Sequence, residues 1–202
     1  INWGIVKRFT NTLFSEAQQG LPWTSVRVAG AEGDDVIATL TRNSVKNEEH
    51  HPILIVSSDR DFIQLHRLSP FIQQWDRIND KWVMGENGSS RYFFDAVIKG
   101  DRGDGVPNIY CNDDHFVNKT RKAPPIRQAL LDRLWEEGIN EIKDLPGFKR
   151  NRQLIDLTKT PAPIQEQIIE QHAVGPMVTK KAVIPYLQQH NLSKLASKLG
   201  QF

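Results

Sequence analysis

The stretch "ILIVSSDRDFIQLH", residues 53–66, decides the architecture. Ile53, Leu54, Ile55 and Val56 read as a buried strand extending toward Ser58, because three of the four are β-branched and no polar residue interrupts them. Asp59 and Asp61 follow at once, and a helical turn is expected over 61–68. Carboxylates one residue apart at the end of an apolar strand repel each other and resist burial. A cation between them would remove that cost, and hard oxygen donors suit Mg2+ or Mn2+.

Working outward, Trp3, Val6, Phe9, Leu13 and Ala17 recur at helical spacing, so a helix over 3–18 ends near Gly20. "TSVRVAG" (24–30) alternates like a strand. Asp34 or Asp35 is placed to cap a helix over 36–45. Strands are expected at 71–76 and 81–85, and a helix over 90–100 stopped by Gly100. "DRGDGVPNI" (101–109) is a loop by composition. Helices are expected over 123–138, opened by prolines, then over 150–158, 161–173 and 179–199. Strand, helix, strand in this order predicts parallel pairing in an α/β sheet flanked by helices, followed by a mainly helical region. The division of labour is expected at residue 100: 1–100 as an α/β portion with an acidic site, 101–202 as a helical duplex-binding region.

Composition narrows the class. The 202 residues contain no apolar run of 18, which excludes a membrane-spanning helix, and the single cysteine, Cys111, excludes an intrachain disulfide. That usage suits a reducing, cytosolic-type compartment. The net charge of +2 conceals an asymmetry: residues 1–98 carry 10 Lys/Arg against 12 Asp/Glu, and residues 99–202 carry 16 against 12. An acidic pocket beside a basic surface is the pattern expected where metal ions meet a polyanion.

The acids form three clusters: Glu32, Asp34 and Asp35; Asp59 and Asp61; Asp101 and Asp104. Open α/β sheets bind ligands at the carboxyl ends of their strands, where the first two clusters fall. Were strands 24–30 and 53–58 parallel neighbours, Asp34 and Asp59 would converge there, and Asp104 could reach the same edge from its loop. A lone Asp after a strand is more often a cap or turn former, and Asp35 fits that simpler role. Asp113 and Asp114 read as a solvated loop. Lys119, Arg121 and Lys122 form one basic cluster, and Lys149, Arg150 and Arg152 another; either could hold phosphates. Trp75 and Trp82 read as core or sheet-surface aromatics.

"AGAEGDDVIATL", "ILIVSSDRDFIQLH" and "VIKGDRGDGVPNI", in this order and spacing, resemble the flap endonuclease and 5′ nuclease superfamily, most closely its T-even phage ribonuclease H branch. "NLSKLASKLGQF" is similar to that branch's carboxyl end. The resemblance implies a PIN/5′-nuclease-like core and a helical DNA-binding region. It also implies two-metal phosphodiester hydrolysis with Mg2+ or Mn2+, as a 5′→3′ exonuclease and flap endonuclease removing RNA primers from RNA·DNA and DNA duplexes. Glu32, Asp34 and Asp59 resemble the family's ligands for the first ion, and Asp61, Asp101 and Asp104 those around the second. Asp34, Asp59, Asp61 and Asp104 are the implied catalytic carboxylates. Duplexes with a 5′ end or flap and other replication-fork proteins are the implied partners, in the cytoplasm of a phage-infected bacterium. The family begins with a strand bearing an aspartate, a second aspartate and a basic arch. None of these precedes Ile1, so an amino-terminal segment is expected in cis or as a separate chain, and the 202 residues alone are expected to be nearly inactive. The competing reading is a non-catalytic nucleic-acid-binding module that keeps the fold.

Overall fold

The computed structural model describes residues 2–47, 51–85, 87–118 and 122–196. They form a mixed α/β protein with two compact units, Glu32–Ala162 and the two chain ends, Ile1–Ala31 with Pro163–Phe202. The boundaries differ from the expected division at residue 100. The physical reason lies in one core: Val97 and Ile98, before the boundary, are buried with Ile109, Leu131, Leu134, Ile142 and Phe148 after it.

In the unit of the chain ends, α1 (Trp3–Gly20) is capped by Asn2, whose side chain accepts from the backbone N–H of Gly4 and Ile5. Its apolar stripe is exposed, with Trp3 70% and Phe9 63% accessible. Residues 24–30 do not form a strand. A strand needs a neighbour for its backbone groups, and here the Gln171 side chain takes that part. Its Oε1 accepts from Arg27 N (2.9 Å) and its Nε2 donates to Arg27 O (3.0 Å).

In the central unit, α2 (Gly33–Lys46) carries Asp34 and Asp35 in its first turn and Lys46 in its last, complementing the helix dipole. The sheet order is β1 (Ile53–Val56), β2 (Ile72–Asp76), β3 (Lys81–Trp82). β1 and β2 are parallel, with Ile53 opposite Ile72 and Val56 opposite Trp75; β2 and β3 are antiparallel, with Trp75 opposite Trp82. Those two indoles meet edge to face at 4.9 Å, a sheet-surface pair. A 3-10 helix over Arg60–Leu68 makes the crossover between β1 and β2. Ala38, Ile55, Phe62, Leu65 and Ile72 form the core under this sheet.

The helical remainder begins with α3 (Ser89–Lys99), which ends at Gly100 with φ of +73°. A Cβ there would collide with Val106 O and with the Pro107 carbonyl, so only glycine allows the following loop to fold back. α4 (Gln128–Glu137) starts after its prolines rather than on them. Pro125 keeps Pro124 out of the helical region, and Asn108 Nδ2 fixes Pro124 by donating to its carbonyl at 2.8 Å. α5 (Pro146–Ile155) opens on a proline at its first position, earlier than the expected residue 150. It is followed by a short 3-10 turn, Leu157–Lys159, and α6 (Ala162–Ala173). The single helix expected over 179–199 is instead a 3-10 turn, α7 (Val183–Gln189) and α8 (Ser193–Ala196). Asn191, at φ of +56°, separates the last two. Residues 197–199 of that expectation lie outside the described residues.

Candidate active site

The strand-end aspartates are held by short local bonds. Ser57 N donates to Trp75 O (3.0 Å), which ends the β1–β2 ladder. Asp59 N then donates to Ser57 Oγ (3.1 Å), and Asp59 Oδ1 accepts from Asp61 N (2.9 Å), capping the 3-10 helix. From β2, the buried Gln74 sends Nε2 to both Ser57 O (2.9 Å) and Asp59 O (2.5 Å). One neutral amide therefore fixes the turn that carries both acids.

Asp34 reaches them from the first turn of α2, not from a neighbouring strand. The cap of α2 is Glu32, where Asp34 or Asp35 was expected. Asp35 serves that cap: its Oδ2 accepts from Glu32 N (3.0 Å) and its Oδ1 from Thr160 Oγ1 (2.6 Å). Glu32 is exposed and Asp34 half-buried.

Asp101 and Asp104 come from the loop after α3. Val106 N donates to Asp101 O (2.7 Å), closing the loop on itself. Asp101 Oδ1 accepts from Gly103 N (2.6 Å) and Asp104 N (3.3 Å). Carboxylate oxygens of Asp61, Asp101 and Asp104 all lie within 4.8 Å of one another. Together with Glu32 and Asp34 these three line a cleft of about 490 Å³. Asp59 stands outside the lining but acts on it through its charge.

The electrostatics follow from this crowding. Burial pushes the Asp61 carboxyl up to about 6, with help from the charges of Asp59, Asp101, Asp104 and Asp34. Asp34 is raised by burial and then by Asp59, Glu32, Asp35 and Asp104. Two of the surrounding cations are already engaged by other carboxylates. Arg91 is tied to Asp95 (2.8 Å) and Asp132 (2.5 Å), and Lys99 to Asp95 (3.3 Å). An all-oxygen set of mutually repelling carboxylates fits a hard divalent cation such as Mg2+ or Mn2+.

Arg60, Asn87, Tyr92 and Lys99 also line the cleft, and sequence reasoning passed over them. Arg60 was legible, since it stands between the two aspartates of the signature; its guanidinium lies 5.8 Å from the centre of the Tyr92 ring. Tyr92 carried no signal beyond helical placement. Burial, then the charge of Asp61, raises its phenol.

The basic residues divide three ways. Lys119 and Arg121 lie outside the described residues, and Lys122 is exposed. Lys149 and Arg152 project from α5, 3.5 Å from Asp144 and 3.9 Å from Asp156 respectively. Arg150 is a correction, for its side chain is committed inward. Nε donates to Asn151 Oδ1 (2.9 Å), Nη1 to Cys111 O (3.0 Å) and Asp113 Oδ1 (2.7 Å), and Nη2 to Pro107 O (2.9 Å) and Asn108 O (3.1 Å). Those contacts engage all five N–H donors of a guanidinium, leaving none for a phosphate. Asp113 is thus one of its partners rather than only a solvated loop residue. Lys143 and Lys159, which sequence reasoning missed, share a shallow depression of about 330 Å³ with Lys149 and Arg152.

An α/β sheet with clustered carboxylates at a strand end, followed by basic helices, is the arrangement of a candidate metal-binding site beside a polyanion-binding surface. The family model described as "5′-3′ exonuclease, N-terminal resolvase-like domain" matches residues 10–92. The model described as "T4 RNase H, C terminal" matches residues 90–202, more than half the chain, and the chain belongs to that family. Ribonuclease H of Enterobacteria phage T4 is 26% identical over 201 residues, which cover 96% of this chain and 65% of that protein. The flap endonucleases Xni of Shewanella sediminis (strain HAW-EB3) and Shewanella sp. (strain W3-18-1) are 35% and 37% identical, each over 62% of this chain. The chain spans 51% and 49% of their lengths.

Proposed function

We propose that this chain belongs to a divalent-metal-dependent 5′ nuclease, acting as a 5′→3′ exonuclease and flap endonuclease that removes RNA primers. The observation that carries the reading is the convergence of Asp61, Asp101 and Asp104, with oxygens within 4.8 Å, in a chain of this family. Asp61, Asp101 and Asp104 would hold one Mg2+ or Mn2+ ion, and Glu32, Asp34 and Asp59 a second. When bound, such ions supply a nucleophilic water at neutral pH and charge stabilisation for displacement at phosphorus. The protein's own part is charge and placement. Asp34, Asp59, Asp61 and Asp104 supply the negative charge at the cleft, and Arg60 can meet the incoming phosphate. Lys149, Arg152, Lys143 and Lys159, with Lys122 and the Lys119 and Arg121 cluster, would bind the duplex backbone, where neutralised phosphates release counterions. The substrates are DNA and RNA·DNA duplexes with a 5′ end or flap. Other replication-fork proteins are the expected partners, in the bacterial cytoplasm where a phage relative would act.

The test is cleavage of 5′-flap and nicked RNA·DNA substrates with Mg2+. It uses the chain alone and the chain joined to the part of phage T4 ribonuclease H that it does not span. Release of 5′ fragments that is abolished by Asp61→Asn and by Asp104→Asn supports the reading. Duplex binding with no cleavage in either form would favour the non-catalytic module instead.

A further inference from the structure

The acidic loop between α3 and α4 has an anchor on α5 that the metal chemistry does not explain. Asn151 is fully buried, at 0% accessibility. Its Nδ2 donates to Val97 O (2.8 Å), in the last turns of α3, and to Pro107 O (2.9 Å), beyond the loop. These two carbonyls bracket residues 100–106, so one amide holds both ends of the segment that bears Asp101 and Asp104. Arg150 completes the clamp from the next position, gripping Pro107 O and Asn108 O while orienting the Asn151 amide through its Oδ1. Ile109 N donating to Ile98 O (3.2 Å) and the tight Gly100 turn belong to the same closure.

We propose that Arg150 and Asn151 are positioning residues that set the affinity of the acidic cleft for divalent cations by fixing Asp101 and Asp104 against Asp61. This rests on the metal-site reading given above. Three carboxylates on two separate segments repel one another, and the loop would relax outward unless something other than the cation held it. The two residues supply that restraint from outside the ligand set. An asparagine amide adds no charge to the cleft, and Arg150 spends its charge on carbonyls and on Asp113. Outer partners bonded to metal ligands typically contribute ten- to a hundredfold to metal affinity, and this clamp acts one step further out, through the loop backbone.

The experiment is Mn2+ binding, followed by calorimetry and by electron paramagnetic resonance of the free ion, well below every variant's melting temperature. Asp104→Asn tests the underlying reading, and Arg150→Lys and Asn151→Ala test the positioning. Leu134→Ala, on α4 in the same core and outside the hydrogen-bonded clamp, controls for lost stability. We expect Asp104→Asn, Arg150→Lys and Asn151→Ala each to weaken Mn2+ binding by about tenfold or more, and Leu134→Ala to leave it unchanged. Should Asn151→Ala fail to fold, Arg150→Lys decides, because it keeps the charge and loses the fork. Parent-like affinity in Arg150→Lys and Asn151→Ala, with Asp104→Asn impaired, overturns the positioning role alone. Equal weakening in Leu134→Ala also overturns it, since general destabilisation would then account for the loss. Parent-like affinity in Asp104→Asn removes the metal reading itself, and this proposal with it.

Discussion

Replacing Asp61 by asparagine should make the metal-free protein more stable at neutral pH, by an amount the cleft allows us to work out. Burial and four neighbouring carboxylates raise Asp61 from 3.8 to about 6. A folded pKa above the unfolded one means the proton is held more tightly in the folded state. The stabilisation is complete below pH 3.8 and is lost as pH rises through about 6. Above that pH the folded protein keeps a carboxylate it would rather have neutralised. The full difference corresponds to at most ~3 kcal/mol, but the carboxyl is half-solvated, and screening leaves about 1 kcal/mol. The replacement amide carries no charge, and the backbone N–H that caps onto Asp59 is untouched. The variant should therefore melt about 2–4 °C above the parent at pH 7.5 in EDTA, with the gap closing by pH 3.5. Saturating Mn2+ should invert the order, because a ligand at a hundred times its Kd adds about 2.7 kcal/mol and the variant binds it less well. Differential scanning calorimetry at the two pH values, with and without Mn2+, measures all four quantities. A variant no more stable than the parent at pH 7.5, or a gap that persists unchanged at pH 3.5, would refute carboxylate crowding as the source of strain.

The other expectations concern separate parts of the central unit. Burial lowers the His66 imidazole, outweighing the raising effect of its Gln74 neighbour. Its stabilising share is therefore present above 6.5 and lost as pH falls through the lowered folded value; an NMR titration in which His66 titrates above free histidine would contradict this. Lys149→Gln with Arg152→Gln should flatten the slope of log affinity for duplex DNA against log salt by roughly two units. Arg150→Gln should instead lower the melting temperature. Thr160→Val removes the hydroxyl that donates to Asp35 Oδ1 at 2.6 Å. Urea unfolding should show a loss of about 1–3 kcal/mol, with Mn2+ affinity intact, because Asp35 serves the helix cap.

What could be read from the sequence was what neighbouring residues decide among themselves. The apolar run followed by Asp59 and Asp61 fixes a strand end, and Gly100 and Gly105, both at positive φ, mark the Asp101–Asp104 loop. Several of the failures involve partners far along the chain. Residues 24–30 alternate like a strand, yet Gln171, 144 positions away, satisfies the backbone at Arg27. Three acids crowd the start of α2; the cap bond from Glu32 N to Asp35 is local, but the second oxygen of Asp35 is taken by Thr160, 125 positions away. Lys149, Arg150 and Arg152 look equivalent in a linear reading. The helical period separates them, turning Phe148 and Asn151 into the core and leaving Lys149 exposed.

These distant partners share a chemistry that the site requires. A loop carrying carboxylates has to be restrained against their repulsion, and a cationic restraint inside the cleft would compete with a metal ion for the same oxygens. A buried primary amide avoids that conflict, since it donates strongly to backbone carbonyls and carries no charge. Gln74 holds the Asp59 turn through two carbonyls, and Asn151 holds the Asp101–Asp104 loop through two more. Gln64 bridges the cleft wall with both ends of its amide, Nε2 donating to Ile155 O and Oε1 accepting from Leu157 N. The arginine recruited to this task, Arg150, is turned onto main-chain carbonyls and an aspartate outside the cluster. Charge in the cleft is thereby left to the carboxylates, while neutral donors and one guanidinium bound away from the cluster hold their positions.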